Sequence, residues 1–433
     1  MLQIFTLSIL IFFVYLISFC FLITIVPFFK KSGLGSSWLI ILFIIKIAAG
    51  CAYGLFYSLP DKVQTSDTWN YFDHSKAETD WLLKNPVAFV KDLFIYNHDS
   101  TGNLFKAKDS YWNQLKSNVI IKILAIVNVF TVKSYYADVI FFNFFFLFGC
   151  MAFYRLLTEK IEANTLVRIA FVFCIPSFLF WCSGVHKDGF IFMAVALSTF
   201  YFNEWVTRKR IFNEGVFIFT LCLFMLFSMR NFVLFLLLPA LLTWYLCNRY
   251  PKRQIALTAG IYIAAIILFF SLRLINHTID FPAYIINKQN EFKALAGNSQ
   301  LVLPNLKPDL LSFIQFLPYA IDIVFFRPHL SEATSILYWP YLVENIFIYT
   351  LIIYSVIKFY SKTRAELCSS STKAFLMFCF VFAVSNFLLM GYTVTLTGAI
   401  VRYRAFVLPF VIAPMSYFIK IDKHQAYPVN CFR

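Results

Sequence analysis

Apolar residues in this chain mostly run on without interruption. Long stretches such as Ile4 to Phe29, Trp38 to Tyr57 and Tyr136 to Tyr154 approach or exceed the roughly 20 residues a helix needs to cross a bilayer. Further runs cover Val167 to Trp181, Phe190 to Phe202, Val216 to Phe227, Phe232 to Leu246, Ile255 to Ser271, Leu342 to Ile357, Phe375 to Met390 and Ala405 to Phe418. The pattern predicts an all-α polytopic integral membrane protein of about eleven transmembrane helices, forming a single membrane domain over residues 1–433. Two shorter apolar runs, 117–130 and 311–326, are expected as interfacial or re-entrant helices. The second is expected to break at Pro318 and stop at Arg327-Pro328, because proline disfavours helix at the residue before it.

Basic residues punctuate these runs. Lys30-Lys31, Arg155 with Lys160 and Arg168, Arg208-Lys209-Arg210, Arg249 with Lys252-Arg253, Lys358 with Lys362 and Arg364, and Lys420 with Lys423 each flank an apolar stretch. Read by the positive-inside rule, they place the N-terminus out and the C-terminus in. Residues 58–116 and 272–340 then become long external loops, the first followed by the short helix 117–130 and the second containing 311–326. Lys46, alone inside the second run, is expected to snorkel toward the cytoplasmic face.

Composition agrees with the patterning. Hydrophobic residues make up 60% of the chain and charged ones only 14%, against about 25% charge in soluble domains. The formal charge of +15 is spent on loop flanks, with no basic domain for nucleic acid. The ten cysteines are scattered singly, most of them inside apolar runs, and read as buried, inert thiols. No phosphate-binding loop, His-Glu-x-x-His or Gly-x-Ser-x-Gly motif is present. The sequence names no cofactor and no metal ligands, although a divalent ion held by carboxylates is compatible with it.

The costliest polar residues fall on one predicted side. His186, Lys187 and Asp188 sit at the bend between two apolar runs, flanked by Gly184 and Gly189. Asp61, Asp67, Asp73 and His74 lie in the first external loop, Arg230 and Asn231 at a second bend, Arg327 and His329 after the second short helix, Glu344 near the start of a span, and Arg402 and Arg404 before the last helix. Converging arginines and a lysine suit a phosphate or diphosphate, and the carboxylates and histidine offer general bases. Plainer roles fit as well: a water-facing loop at 183–189, Asp67 as a helix N-cap, and Arg402 and Arg404 as headgroup anchors.

The layout resembles that of bacterial polytopic enzymes that build surface glycans from polyprenyl-linked sugars. These are the GT-C fold glycosyltransferases and the capsule and O-antigen repeat-unit polymerases of the Wzy and EpsG-like kind. The matching features are Asp67-x-x-x-Tyr71, a short outer helix, the stretch Pro176 to Asp188, and Arg402-Tyr403-Arg404 before the last helix; His186-Lys187-Asp188 stands where EpsG-like chains tend to carry Arg-Gln. The resemblance implies transfer of a sugar or oligosaccharide from a polyprenyl phosphate or diphosphate, on the extracytoplasmic face of a bacterial inner membrane. Lys187, Arg230, Arg327, Arg402 and Arg404 would hold the phosphate, and Asp67, His186 and Asp188 would form the catalytic set. The implied partners are the lipid-linked glycan and membrane lipid. The competing class is a carrier for a lipid-linked oligosaccharide or anionic solute, which calls for charges near the midplane and a path open to both sides.

Overall fold

The computed structural model describes residues 2–94, 111–206, 208–209, 213–295, 300–332, 336–361 and 369–419. In chain order the helices are α1 (Leu2–Ile25), α2 (Pro27–Lys30), α3 (Ser36–Tyr57), α4 (Asp67–Lys84), α5 (Pro86–Lys91), α6 (Tyr111–Thr131), α7 (Tyr135–Lys160), α8 (Thr165–Phe173) and α9 (Pro176–Trp181). They continue with α10 (Lys187–Val206), α11 (Asn213–Arg249), α12 (Gln254–Ile275), α13 (Phe281–Ala294), α14 (Leu310–Ile321), α15 (Trp339–Ser361), α16 (Ser370–Thr393), α17 (Thr397–Ala405) and α18 (Leu408–Ile412). No β-strand occurs among the described residues. Local chemistry explains several starts: the side chains of Asn85, Asn164, Asp280, Asp309 and Ser369 each accept a backbone N–H from the first turn of the helix they precede.

The chain is a multi-pass, all-α membrane protein. Eight helices, α1, α3, α7, α10, α11, α12, α15 and α16, are long and apolar enough to cross a membrane; α17 with the helical stretch after it makes a ninth if their 62° bend lies within one span. α12 buries none of its apolar length against the protein and α1 very little. Both therefore need lipid around them.

The eleven runs read from sequence differ from these helices at two places. Val167 to Trp181 is two short helices, α8 and α9, because Pro176 offers no N–H and Ile175 before it is extended. Helix resumes at Thr397, so Arg402 and Arg404 lie within α17 rather than ahead of the last helix. The runs Val216–Phe227 and Phe232–Leu246 keep the hairpin read from sequence: α11 is two helices that meet at Arg230 (φ −156°, ψ 75°). The chain turns back there. Phe219 before the break packs on Trp205 (ring centroids 4.7 Å) and Trp244 after it packs near Phe202 (5.7 Å), both toward one end of α10, while Arg230 meets Asp188 at the other. At 1.5 Å per residue those ends of α10 lie about 20 Å apart, so both limbs must run back along it.

Neither α6 nor α14 is among the helices able to span. α6 is longer than the 14-residue run, and it pairs antiparallel with α4: Thr79 donates to the Ala125 carbonyl, Asn128 to Ser75, and the buried Lys122 meets Glu78 (2.6 Å) and Asp92 (3.0 Å). Pro318 does not break α14, which runs through it to Ile321 and a final wide turn ending before Arg327. Lys46 does not snorkel: it is 1% exposed and donates to the Cys182 carbonyl and the Ser183 hydroxyl.

These contacts define two ends. One end gathers Phe28, Arg155, Lys160, Phe200, Arg208, Gln254 and Ser370, tied by contacts between Arg155 and the two rings, Lys160 and Ser371, and Gln254 and Ser370. The other end gathers Asp67, the 182–188 bend, Arg230 and Arg402. Of the basic clusters, Lys362, Arg364, Arg210, Lys420 and Lys423 lie outside the described residues.

Close approach of α3 to the bend requires glycine. A Cβ on Gly184 would fall 2.2 Å from Tyr53 Cδ1, and one on Gly50 would fall 2.3 Å from the Ser183 carbonyl oxygen. Gly184→Ala is expected to destabilise the protein by about 1–3 kcal/mol through overpacking. By contrast, Gly260→Ala in α12, with open space around it, should leave the melting temperature in detergent unchanged or raised.

Candidate functional site

The bend between α9 and α10 is not a water-facing loop, since Ser183, His186 and Asp188 are all fully buried. Its backbone is held by groups from three helices. Asn143 of α7 donates to the Ser183 carbonyl (2.7 Å), Lys46 of α3 to that of Cys182 (3.2 Å), and Thr68 of α4 to that of Val185 (2.9 Å). Every non-helical carbonyl that would be costly to bury here thus finds a donor.

Asp188, the second residue of α10, is the hub of a charged cluster. Arg402 Nε lies 3.0 Å from its Oδ2, Arg230 Nη2 lies 2.9 Å from its Oδ1, and His186 Nδ1 lies 3.0 Å from Oδ2. Arg402 then reaches on, with Nη2 2.8 Å from Asp67 Oδ2 and in contact with His186 Nε2. His186 Nε2 is itself 3.4 Å from that Asp67 oxygen. Arg230, Asp188, Arg402 and Asp67 therefore form one line of alternating charge, dry at Asp188 and open at Asp67, whose side chain is 43% accessible. Burial alone would raise the Asp67 carboxyl. The His186 hydrogen bond and the charges of Arg402, His186 and Lys187 outweigh it and hold the group well below the usual carboxylate range.

Beside this line lies a cavity of about 230 Å³, lined by four cations, Lys116, Lys187, Arg230 and Lys288, and one acid, Glu291, which pairs with Lys288 at 2.6 Å. Burial and the neighbouring charges of Lys288, Lys187 and Arg230 push the Lys116 ammonium down to about 8. Arg230 is 4% exposed, stacks over Tyr403 (4.5 Å), and its buried Nη1 has no hydrogen-bond partner. The remaining wall includes Phe232, Tyr284, Ile285, Leu389 and Met390. Four cations beside an apolar wall suit an anion carried on a hydrophobic chain.

The predicted residues divide. Asp67, His186, Lys187, Asp188, Arg230 and Arg402 are brought together, whereas Arg327 and Arg404 are not. Arg404 turns away to donate to the Val324 carbonyl (2.8 Å) and Asn345 Oδ1 (3.0 Å), holding the stretch after α14. Arg327 is occupied by Asp322 (2.9 Å) and Glu332, and His329 joins it through Asp322 (3.0 Å). Both arginines therefore act here as struts. Glu344 receives the Ser177 N–H and hydroxyl (both 2.7 Å) and pins α9 to α15. Asp61 and Asp73 make exposed local pairs with Lys62 and Lys76, and His74 is exposed. Asp67 is not an N-cap: Ser66 holds that position, without a side-chain bond. Lys116, Tyr284, Lys288 and Tyr403 were not singled out from sequence as site residues; the one available signal was a pair of lysines in loops otherwise mixed in charge.

No protein-family model, curated protein or solved structure matches the chain. Among the described residues, no group of three or more His, Cys, Asp or Glu side chains is arranged to hold a metal ion.

Because the folded Asp67 carboxyl lies below its unfolded value of about 3.9, its pairing adds stability above that pH and loses it as pH falls toward the folded value. Arg402→Gln raises the folded value toward the unfolded one. Melting curves in detergent between pH 6 and about 3 should therefore fall more steeply for wild type than for Arg402→Gln. Parallel curves would exclude the pairing.

Proposed function

We propose that the chain is a membrane glycosyltransferase or polysaccharide polymerase that uses a polyprenyl phosphate or diphosphate-linked sugar on the extracytoplasmic face of the bacterial inner membrane. The observation that carries this reading is the cavity lined by Lys116, Lys187, Arg230 and Lys288, placed directly against the Asp67–His186–Asp188–Arg402 line. The cations take the donor phosphate and the apolar wall takes the start of its lipid chain.

In the reaction, an acceptor hydroxyl at the open Asp67 end attacks the anomeric carbon. The bond from that carbon to the phosphate oxygen breaks, the electron pair leaves with the polyprenyl phosphate, and the hydroxyl proton passes to Asp67. Phosphate is a stable leaving group, so electrostatic stabilisation by Arg230 and the lysines is what the site must supply. A carboxylate held as low as Asp67 is a weak base at rest. The line of charges offers a way to strengthen it: an anion competing with Asp188 for Arg230 leaves Asp188 to draw more on Arg402, which loosens Arg402 from Asp67 and raises its proton affinity. A carrier is less well supported. Lys187 and Phe200, which line cavities at opposite ends, are about 20 Å apart along α10. Between their levels Phe153, Phe178, Phe192 and Phe410 pack at ring distances of 4.5–6.2 Å.

Arg230→Ala should abolish surface-glycan elongation in cells while the protein still inserts; unchanged glycan chain lengths would remove the phosphate role. In a deletion strain, loss of long chains with accumulation of single repeats marks a polymerase, and loss of one sugar marks a transferase.

For the purified protein, calorimetric binding of pyrophosphate should weaken as pH rises through about 8, where Lys116 gives up its proton, and binding at pH 8–9 should take up a proton. Lys116→Ala should flatten that dependence.

A further inference from the structure

The proposed transfer reaction makes no use of the other end of the bundle. There a cleft of about 400 Å³ is lined by Lys31, Arg155, Thr158, Glu159, Phe200 and Arg208. That volume lies within the roughly 300–1,000 Å³ of small-ligand sites.

Its charges are not equivalent. Arg208 is occupied by Glu159 (2.8 Å) and Glu204 (3.2 Å), and Glu159 also meets Lys160 (3.3 Å). Arg155 has no carboxylate within ion-pair distance among the described residues. Its guanidinium is instead held against the rings of Phe28 (4.8 Å) and Phe200 (4.6 Å). Rings satisfy the faces of a guanidinium and fix its plane, but they offer no acceptor to the N–H groups along its edge. Lys31, on the turn after α2, likewise has no ion pair among the described residues. With Arg208 and Lys160 balanced by Glu159 and Glu204, Lys31 and Arg155 leave the cleft electropositive.

We infer that this cleft binds the headgroup phosphate of an acidic phospholipid, Arg155 forking two phosphate oxygens and Lys31 adding a second charge. Position argues for a lipid over a free anion. The cleft sits where the apolar lengths of α7 and α10 end, at headgroup level, and α1 descends from it with Ile17, Phe21 and Ile25 exposed as a track for acyl chains. Charge argues for an acidic lipid over a zwitterionic one, because Lys31, Arg155 and Arg208 repel an ammonium and Glu159 is already paired.

The test uses the full-length purified protein, with native mass spectrometry and melting temperature reading titrations of phosphatidylglycerol, phosphatidylcholine and inorganic phosphate. Phosphatidylglycerol should be retained and should raise the melting temperature, with phosphatidylcholine and inorganic phosphate doing neither at the same concentration. Arg155→Ala with Lys31→Ala should lower the apparent phosphatidylglycerol affinity at least tenfold while leaving pyrophosphate binding at the opposite cavity intact, which shows the fold is kept. If that pair fails to fold, Arg155→Lys, which keeps the charge and loses the fork, should still weaken binding measurably. Equal retention of phosphatidylcholine, equal stabilisation by inorganic phosphate, or undiminished phosphatidylglycerol binding in the folded variant would each overturn the inference.

Discussion

A carboxylate buried without water among apolar helices must be neutralised by partners, and Asp188 is such a group. Arg230, His186 and Arg402 supply those partners from the α11 turn, the bend before α10, and α17. In a low-dielectric interior, breaking one partner of a buried pair costs about 3–5 kcal/mol, far more than an exposed pair would cost. The requirement reaches beyond the charges themselves. α11 has to turn back at the residue that carries the guanidinium, and α17 has to bring Arg402 to the same point from 214 positions further along the chain.

The cluster is graded from dry to wet. Asp188 and His186 are sealed, Arg402 is partly open, and Asp67 faces the accessible side. In the proposed reaction a hydroxyl would meet the row at its Asp67 end and an anion in the cavity at its Arg230 end. In that reaction the two reactants would be kept apart by a row of charges that links them electrostatically, joining phosphate recognition to the state of a base.

Much of this was legible in the residues, because charge placed between apolar runs is expensive and so conspicuous: His186, Lys187, Asp188, Arg230 and Arg402 all stood out on that ground. Side-chain direction was not legible. Arg402 and Arg404 are two positions apart, which on a helix is about 200° of rotation, so one faces the cluster and the other cannot. Arg327 looked nearly as promising as Arg230, yet Asp322 and Glu332, five residues either side of it, consume its charge. Lys116 and Lys288 belong to segments of ordinary polarity, and only tertiary packing brings them beside Arg230. Hydropathy likewise counts apolar runs without reporting that Pro176 splits one of them, whereas the turn at Arg230 was legible as charge between two runs. Lys46 shows the same limit from inside: its long stem suggested an escape to water, whereas two acceptors at the bend hold it within the protein.

The distance in sequence between Asp188 and Arg402 has a consequence for biogenesis. During synthesis the α9–α10 segment is made long before α17, so the bend must wait in the membrane with its carboxylate only partly neutralised. Closure of the bundle is thus coupled to the arrival of α17, and until then the acid at the bend stays unbalanced.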